Sequence, residues 1–476
     1  MVSKEIDFFK SLLDNSRILN SLLLEGKYYE RFCELLKCEY LVKNTPSFIN
    51  SKYEKLKNPL LKLLVVFLGG ILSIILWPLY NYRIKYRDKQ IYNLVFVPFA
   101  GHIVRYRDVY SITDRQISVI YPPIFHYKKA VKHIAHFNEI KKPIRLDCFN
   151  ICDLIKTFSV TLFLLKDLVH LETQINNHFK MSEHKIIVLY FQFYLYSLYY
   201  ARLLNSLDKN NRIWFFDYDL DAKYIAFNQK LHFLRPKDYS IHMQHGIFHE
   251  AEMEFSNTVA DFHLCCSNRE KRIIESGNNV NGAKVMVQGC PLQSLHVQSK
   301  DIKKHFKLLI LLTSTDNEEI FILQVKILKL FNYMNSKVLI RFRPASCNID
   351  RERLKEFIFG YRVSNDTSLE EDVKSANCVI SFSEDSIFSC FRNGAKLILF
   401  VSDRMHKIYD TVNSPNMMVC SSTYLNEDML RKFADSNEAC DYLNDASVIE
   451  NFGMFDLESY RKMFEKNLSH IKNANN

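Results

Sequence analysis

Glycine is scarce in this chain, with 11 among 476 residues against 36 phenylalanines and 26 tyrosines. A glycine set between an apolar strand-like run and a helix-like stretch therefore carries more information than usual, because the backbone needs freedom there. Gly246, Gly289 and Gly394 hold such places. Metal-ligand spacing is also missing. The 12 cysteines include the neighbours Cys265 and Cys266 but no pair of C-x-x-C units, which excludes a tetrahedral zinc site of that kind and leaves reduced, mostly buried thiols. Asp217-Tyr218-Asp219 has the letters of an Asp-x-Asp clamp only, so no metal or other cofactor is expected. The formal charge is +10, yet Lys and Arg are spread along the chain without a compact basic stripe, which argues against a nucleic-acid partner. Met1 to Asn20 lacks the charged-then-apolar layout of a signal peptide, so export is not expected.

What is present is a globular composition, 48% hydrophobic and 24% charged, in a length that suits two or three domains. One run stands apart. Leu63 to Tyr80 (LLVVFLGGILSIILWPLY) carries no charge and reaches the lower edge of bilayer-spanning length. Lys52, Lys55, Lys57 and Lys62 precede it; Arg83, Lys85, Arg87 and Lys89 follow it. Basic residues on both sides give no orientation, while Trp77 and Tyr80 suit an interfacial anchor. A span, a monotopic insertion and a buried core helix are all open, and membrane attachment is the expectation. Residues 1 to 60 place apolar side chains at helical spacing (Phe8, Leu12, Leu13; Leu19, Leu22, Leu23; Leu35, Leu36), as amphipathic helices of a membrane-proximal appendage would.

From Asn93 onward, short β-prone runs alternate with helical stretches. Leu94 to Val97, Ile117 to Tyr121, Arg212 to Phe216 and Ser240 to Met243 are followed in the second half by Val285 to Gln288, Leu308 to Leu312, Lys337 to Ile340, Cys378 to Ser381 and Lys396 to Val401. Such alternation predicts an α/β fold with parallel sheets covered by helices. Ile186 to Leu207, dense in Tyr, Phe and Leu, reads as a buried helix. The acidic cluster Asp217, Asp219 and Asp221 is either the start of a helix or a metal or base site.

Chemistry is expected where strands end, since ligands of open α/β sheets sit beyond the carboxyl ends of the strands. Gln244-His245-Gly246 follows one such strand, with His249 and Glu250 close behind. Gly289 ends another. Thr313 and Ser314 end a third, and Ser381, Ser383, Glu384 and Ser386 a fourth; hydroxyls at helix starts bind phosphate or simply cap the helix. Arg341 and Arg343 alternate on one strand exit, where guanidinium groups either grip a diphosphate or pair with carboxylates. Pro98 to Ile103, with Gly101 and His102, is a weaker candidate loop.

In order and spacing these pieces resemble the bacterial GT-B glycosyltransferases of surface-polysaccharide synthesis. The resemblance covers about residues 210 to 402: Gln244-His245-Gly246; Ala260 to Ser267 before Arg269 to Gly277; Lys284 to Pro291; and Ser364 to Asn377 leading into Cys378 to Phe388. It implies two Rossmann-like domains facing across a cleft, an acceptor domain over 91–280 and a nucleotide-donor domain over 281–476, which the helical membrane-associated region over 1–90 precedes. It also implies a nucleotide-activated sugar as donor and a lipid-linked or growing glycan as acceptor, at the cytoplasmic face of the inner membrane.

In that reading His245 is either the general base on an acceptor hydroxyl or a group that orients the donor, with His249 and Glu250 as substitutes; Gly101 and His102 meet the acceptor, and Gln244, Gly246, Gly289, Thr313, Ser314, Arg341, Arg343, Ser381, Ser383, Glu384 and Ser386 meet the donor. Arg343-Pro344 stands where many relatives carry His-Pro, so the donor chemistry is expected to differ. A CDP-polyol phosphotransferase, a sugar-nucleotide epimerase and a non-catalytic assembly protein are the alternatives.

Overall fold

The computed structural model describes residues 2–14, 16–41, 58–82, 92–97, 117–121, 123, 144–179, 185–216, 221–243, 258–276, 282–289, 304–313, 318–342, 348–364, 367–383, 386–403, 406, 409, 412–436, 440, 442, 445–453 and 457–473. They fall into two compact units. The first holds the described residues up to 286 except 266–270; the second holds 266–270 and those from 287 onward.

In the first unit four helices, α1 (Val2–Leu13), α2 (Arg17–Leu22), α3 (Gly26–Leu41) and α4 (Pro59–Tyr82), precede the sheet. Then come β1 (Leu94–Val97), β2 (Ile117–Tyr121), β3 (Ile144–Leu146), α5 (Ile151–Phe163), α6 (Leu165–Phe179), α7 (Ile186–Asn205), β4 (Ile213–Phe216), α8 (Ala222–Leu234), β5 (Tyr239–Met243), β6 (Phe262–Cys265), α9 (Asn268–Ser276) and β7 (Lys284–Val287). The strands form one sheet in the order β3-β2-β1-β4-β5-β6-β7, parallel from β3 to β6. Short, fully buried apolar runs such as Ile213–Phe216 are what a parallel sheet covered on both faces requires. Helix α7 is buried almost all round, as its continuous apolar pattern predicts, and packs on α8. At the amino ends of β4 and β5, Asp238 accepts from Trp214 Nε1 at 2.9 Å, from the Arg212 amide at 3.1 Å and from Arg235 Nε at 2.7 Å.

The first three helices are not an appendage. Phe9, Leu13, Ile18, Leu22, Phe32, Leu35 and Leu36 belong to the same core as Trp214 and α7, and Ser21 Oγ lies 2.8 Å from Tyr190 Oη. Their amphipathic spacing is real, but the apolar face meets protein. The apolar run Leu63 to Tyr80 lies within α4, whose inner face (Leu63, Val66) joins that core too.

The second unit continues with β8 (Phe306–Leu312), α10 (Glu318–Phe331), β9 (Val338–Phe342), α11 (Asn348–Leu354), β10 (Arg362–Val363), α12 (Leu369–Lys374), β11 (Ala376–Ser381), α13 (Ile387–Asn393), β12 (Lys396–Phe400), β13 (Met417–Cys420), α14 (Glu427–Asp435), α15 (Ala446–Phe452) and α16 (Leu457–Asn473). Its sheet has the order β10-β9-β8-β11-β12-β13, all parallel. Leu308, Ile310, Ile340, Ile380 and Ile398 from four of its strands make the centre of a second core. Within this unit Asn467 of α16 donates to the Val287 carbonyl at 3.0 Å, and Gln288 Nε2 donates to the Tyr460 carbonyl at 3.1 Å, which fastens the last helix to Val287 and Gln288.

Candidate functional site

The strand order decides where a ligand can enter. In the second sheet β8, β9 and β10 run outward one way and β11, β12 and β13 the other, so the order reverses between β8 and β11. At such a switch point the connections leave in opposite directions and open a crevice beyond the carboxyl ends. The residues emerging there are Thr313 after β8, Ser381 at the end of β11, and Ser383 and Ser386 beyond it. The register adds Arg341, because Leu311 pairs with Arg341 on one side and with Ser381 on the other. Three adjacent strands thus bring Arg341 and Ser381 into one row.

The described side chains of this edge are held by their own neighbours. Arg341 Nη1 donates to Asp372 Oδ2 at 2.6 Å, to the Thr367 carbonyl at 2.7 Å and to Ser364 Oγ at 3.4 Å. Asp372 is buried and also accepts from Ser364 Oγ at 2.6 Å. Ser381 Oγ donates to the Ser383 carbonyl at 2.8 Å and accepts from the Ser383 amide at 3.2 Å, and Ser386 Oγ donates to the same carbonyl at 3.0 Å. These hydroxyls thereby shape the turn after β11. The Thr313 amide donates to Gln324 Oε1 at 3.1 Å, while Gln324 Nε2 is buried with no hydrogen-bond partner among the described residues. Gly289 follows β7 with φ +91°, a conformation that favours glycine.

Several supporting residues carry no strand-end signature in the sequence. Glu370, in the first turn of α12, accepts from Ser389 Oγ at 2.7 Å, from Asn393 Nδ2 at 2.7 Å and from Arg392 Nη2, and so ties α12 to α13 beside the serine turn. Ser368 and Glu371 form a reciprocal capping box at the start of α12, which fixes Glu370 and Asp372 in place. The capping pattern Ser-x-x-Glu was legible; the partners of Glu370 and Asp372 were not, since they are distant in sequence. Hydrogen bonds from Ser368 hold the Glu371 carboxyl below its ordinary range.

In the first sheet the order reverses between β1 and β4. The segments that follow those strands carry Gly101 and His102 on one side and Asp217 and Asp219 on the other, and all four lie outside the described residues. Asp221 is described: its Oδ1 accepts from the Lys223 amide at 3.0 Å, the helix-capping role. Gln244, His245, Gly246, His249, Glu250, Ser314, Arg343 and Glu384 also lie outside the described residues. The strand that leads to His245, β5, is next to β4 and so one place out from the switch point.

One constellation has the letters of a hydrolytic triad. Ser240, His232 and Asp261 meet at the amino ends of β5 and β6, with Asp261 Oδ2 3.0 Å and Ser240 Oγ 3.3 Å from the same ring nitrogen, His232 Nε2. A triad needs nucleophile and acid on opposite nitrogens, and here the other nitrogen, Nδ1, faces Tyr28 Oη. The group is a structural tie between α3, α8 and the sheet. Burial pushes the Asp261 carboxyl up, but the His232 ring, the Ser240 amide and the Lys27 ammonium outweigh it and hold it below the ordinary carboxylate range.

Comparison with solved structures places this architecture. A protein from Listeria monocytogenes described as a UDP-N-acetylglucosamine 2-epimerase aligns with 80% of this chain and 97% of its own, at 11% identity and a TM-score of 0.50. The shared fold is GT-B. The UDP-GlcNAc 2-epimerase of Methanocaldococcus jannaschii aligns with 79% of this chain and 99% of its own at 11% identity and a TM-score of 0.47. A lipopolysaccharide outer core galactosyltransferase does so over 79% and 99% at 10% identity and a TM-score of 0.46. No protein-family model matches the sequence, and no curated protein matches it.

Proposed function

We propose that this chain is a nucleotide-sugar-dependent glycosyltransferase that binds its donor at the carboxyl edge of the second sheet. The observation that carries the reading is the reversal of strand order between β8 and β11, with Arg341 and Ser381 in one row across it. A leaving nucleotide phosphate develops negative charge, and donors already fixed in direction stabilise it without reorganising. In this reading the turn of Ser381, Ser383 and Ser386 lies beside the phosphates, and Arg341 with Arg343 supplies the positive charge. Arg341 keeps this role while paired to Asp372, since all its hydrogen bonds among the described residues leave from Nη1.

His245 is the proposed base on an acceptor hydroxyl, with Glu250 as its alternate, because an imidazole exchanges a proton near neutral pH. Gly101 and His102, in the segment that follows β1 in sequence, are proposed for the acceptor side. The acceptor is proposed to be a lipid-linked or growing glycan at the cytoplasmic face of the inner membrane, and transfer to need no metal ion.

Thermal unfolding of the purified chain with CMP, CDP, UDP or GDP tests the reading, since a ligand that binds only the folded state raises its apparent stability. One nucleotide is expected to raise the melting temperature, and Ser381→Ala together with Arg341→Gln is expected to remove the effect. No response to any nucleotide would overturn the proposal. An epimerase of this fold would interconvert the matching sugar nucleotide with no acceptor present, whereas a transferase would not.

A further inference from the structure

Helix α4 is built inside out. Its one cation among positions 59–76, Lys62, is buried, and so are Leu63, Val66 and Gly70. Its opposite face exposes Leu60, Leu61, Leu64, Leu68, Leu72 and Ile75, a stripe at helical spacing with no polar member. Against α4 lies α5. Phe67 and Phe158 meet as a tilted pair with ring centroids 4.5 Å apart, and Gly70 is so close to α5 that a Cβ there would lie 2.6 Å from Leu154 Cδ1. Beside that seam α5 exposes Ile151, Ile155, Leu162 and Phe163, the last 75% exposed, with Lys156 and Ser159 the polar members between them. Soluble surfaces scatter single exposed apolar residues; ten large ones on two packed helices form a binding face.

We infer that α4 and α5 together form a two-helix platform that lies in the plane of an anionic lipid bilayer, with these exposed apolar side chains inserted. Charge identifies the occupant. No Asp or Glu occurs between Glu54 and Asp88, whereas Lys55, Lys57, Lys62, Arg83, Lys85 and Arg87 do, so an apolar stripe is bracketed by cations alone, the pattern that suits acidic headgroups. Burial identifies the posture. The helix is 24 residues long and thus able to cross a bilayer, but a spanning helix is surrounded by lipid, and Leu63, Val66, Phe67, Ile71 and Ile74 pack on the core of the first unit. The inference rests on this surface alone, whatever the chain transfers.

Flotation of the full chain with preformed vesicles tests it, using phosphatidylglycerol with phosphatidylethanolamine in one set and phosphatidylcholine alone in the other. The chain is expected to float with the anionic vesicles and to be largely left behind by the neutral ones. Leu68→Glu with Leu72→Glu on α4, and separately Ile155→Glu with Phe163→Glu on α5, are each expected to lower binding at least about tenfold, because charged groups replace buried hydrocarbon. Circular dichroism should show both variants folded, as the replaced side chains are exposed.

If the α5 variant binds as the native chain does, the two-helix platform is wrong and α4 acts alone. If neither variant loses binding while both turn a native dimer into monomers by light scattering, a second copy covers the face and the inference fails.

Discussion

Arg341 and Asp372 stand 2.6 Å apart, Nη1 to Oδ2, with the carboxylate buried and the guanidinium mostly so. The pair joins the end of β9 to α12 at the edge where the donor is proposed to bind. Removing one member of a buried pair leaves the other charge uncompensated, whereas replacing both by apolar groups is often tolerated. Asp372→Ala is expected to cost about 3 kcal/mol in urea unfolding. The double variant Arg341→Met with Asp372→Leu should recover more than half of that loss and yet show no nucleotide-dependent rise in melting temperature. A double variant that still responds to nucleotide would remove Arg341 from the donor site.

Ser381 spends its hydroxyl on the Ser383 carbonyl and amide, so its first effect is on the shape of the turn. Ser381→Ala is expected to lower stability by about 1 kcal/mol, the net worth of a typical internal hydrogen bond. If that turn carries the donor, KM for the nucleotide sugar should rise more than kcat falls. A loss of stability with KM unchanged would make the turn structural only.

How much of this was legible follows from range. The apolar runs that became β4, β8 and β11 could be read as strands because each is short, continuous and bounded by polar residues. Helix α7 could be read as buried because no charge interrupts it before Arg202. Strand order could not be read, since the neighbours β1 and β4, or β8 and β11, are brought together only by the folded sheet. Arg341 was visible at a strand exit, but its partner Asp372 lies 31 residues on, and nothing local links them. The leucines of α4 announced an apolar helix without saying which face met protein, and those of the first three helices read as an appendage although they are core. Composition reports how much apolar surface exists; only packing reports which side is covered.

Asp261 makes stability depend on pH. Its folded pKa is held below the unfolded value of about 3.9, so the ionised carboxylate stabilises the fold above that value and the contribution is lost as pH falls through the folded pKa. Asp261→Asn is expected to be less stable than the native chain by about 2 kcal/mol across pH 5 to 8. The gap should close steadily below about pH 4. Urea midpoints measured over that range check it, and a gap that stays constant as pH falls below about 4 would assign the loss to shape and not to charge.

Gly453 and Gly394 both have positive φ, +87° and +56°, but their surroundings differ. A Cβ on Gly453 would lie 2.0 Å from the Cys266 carbonyl oxygen, a backbone atom that cannot turn aside, whereas a Cβ on Gly394 meets nothing within 4 Å. Gly394 is the left-handed residue that ends α13, so alanine there should cost about 1 kcal/mol for the backbone conformation alone. Gly453→Ala adds a steric clash to that strain and is expected to cost more than about 4 kcal/mol, in the range reserved for overpacking and forced backbone shifts. Soluble yield and urea midpoints of the two variants, compared side by side, decide the matter. Equal losses would mean that the chain around Cys266 yields to the new methyl group, and that Gly453 is required for its dihedral angles alone.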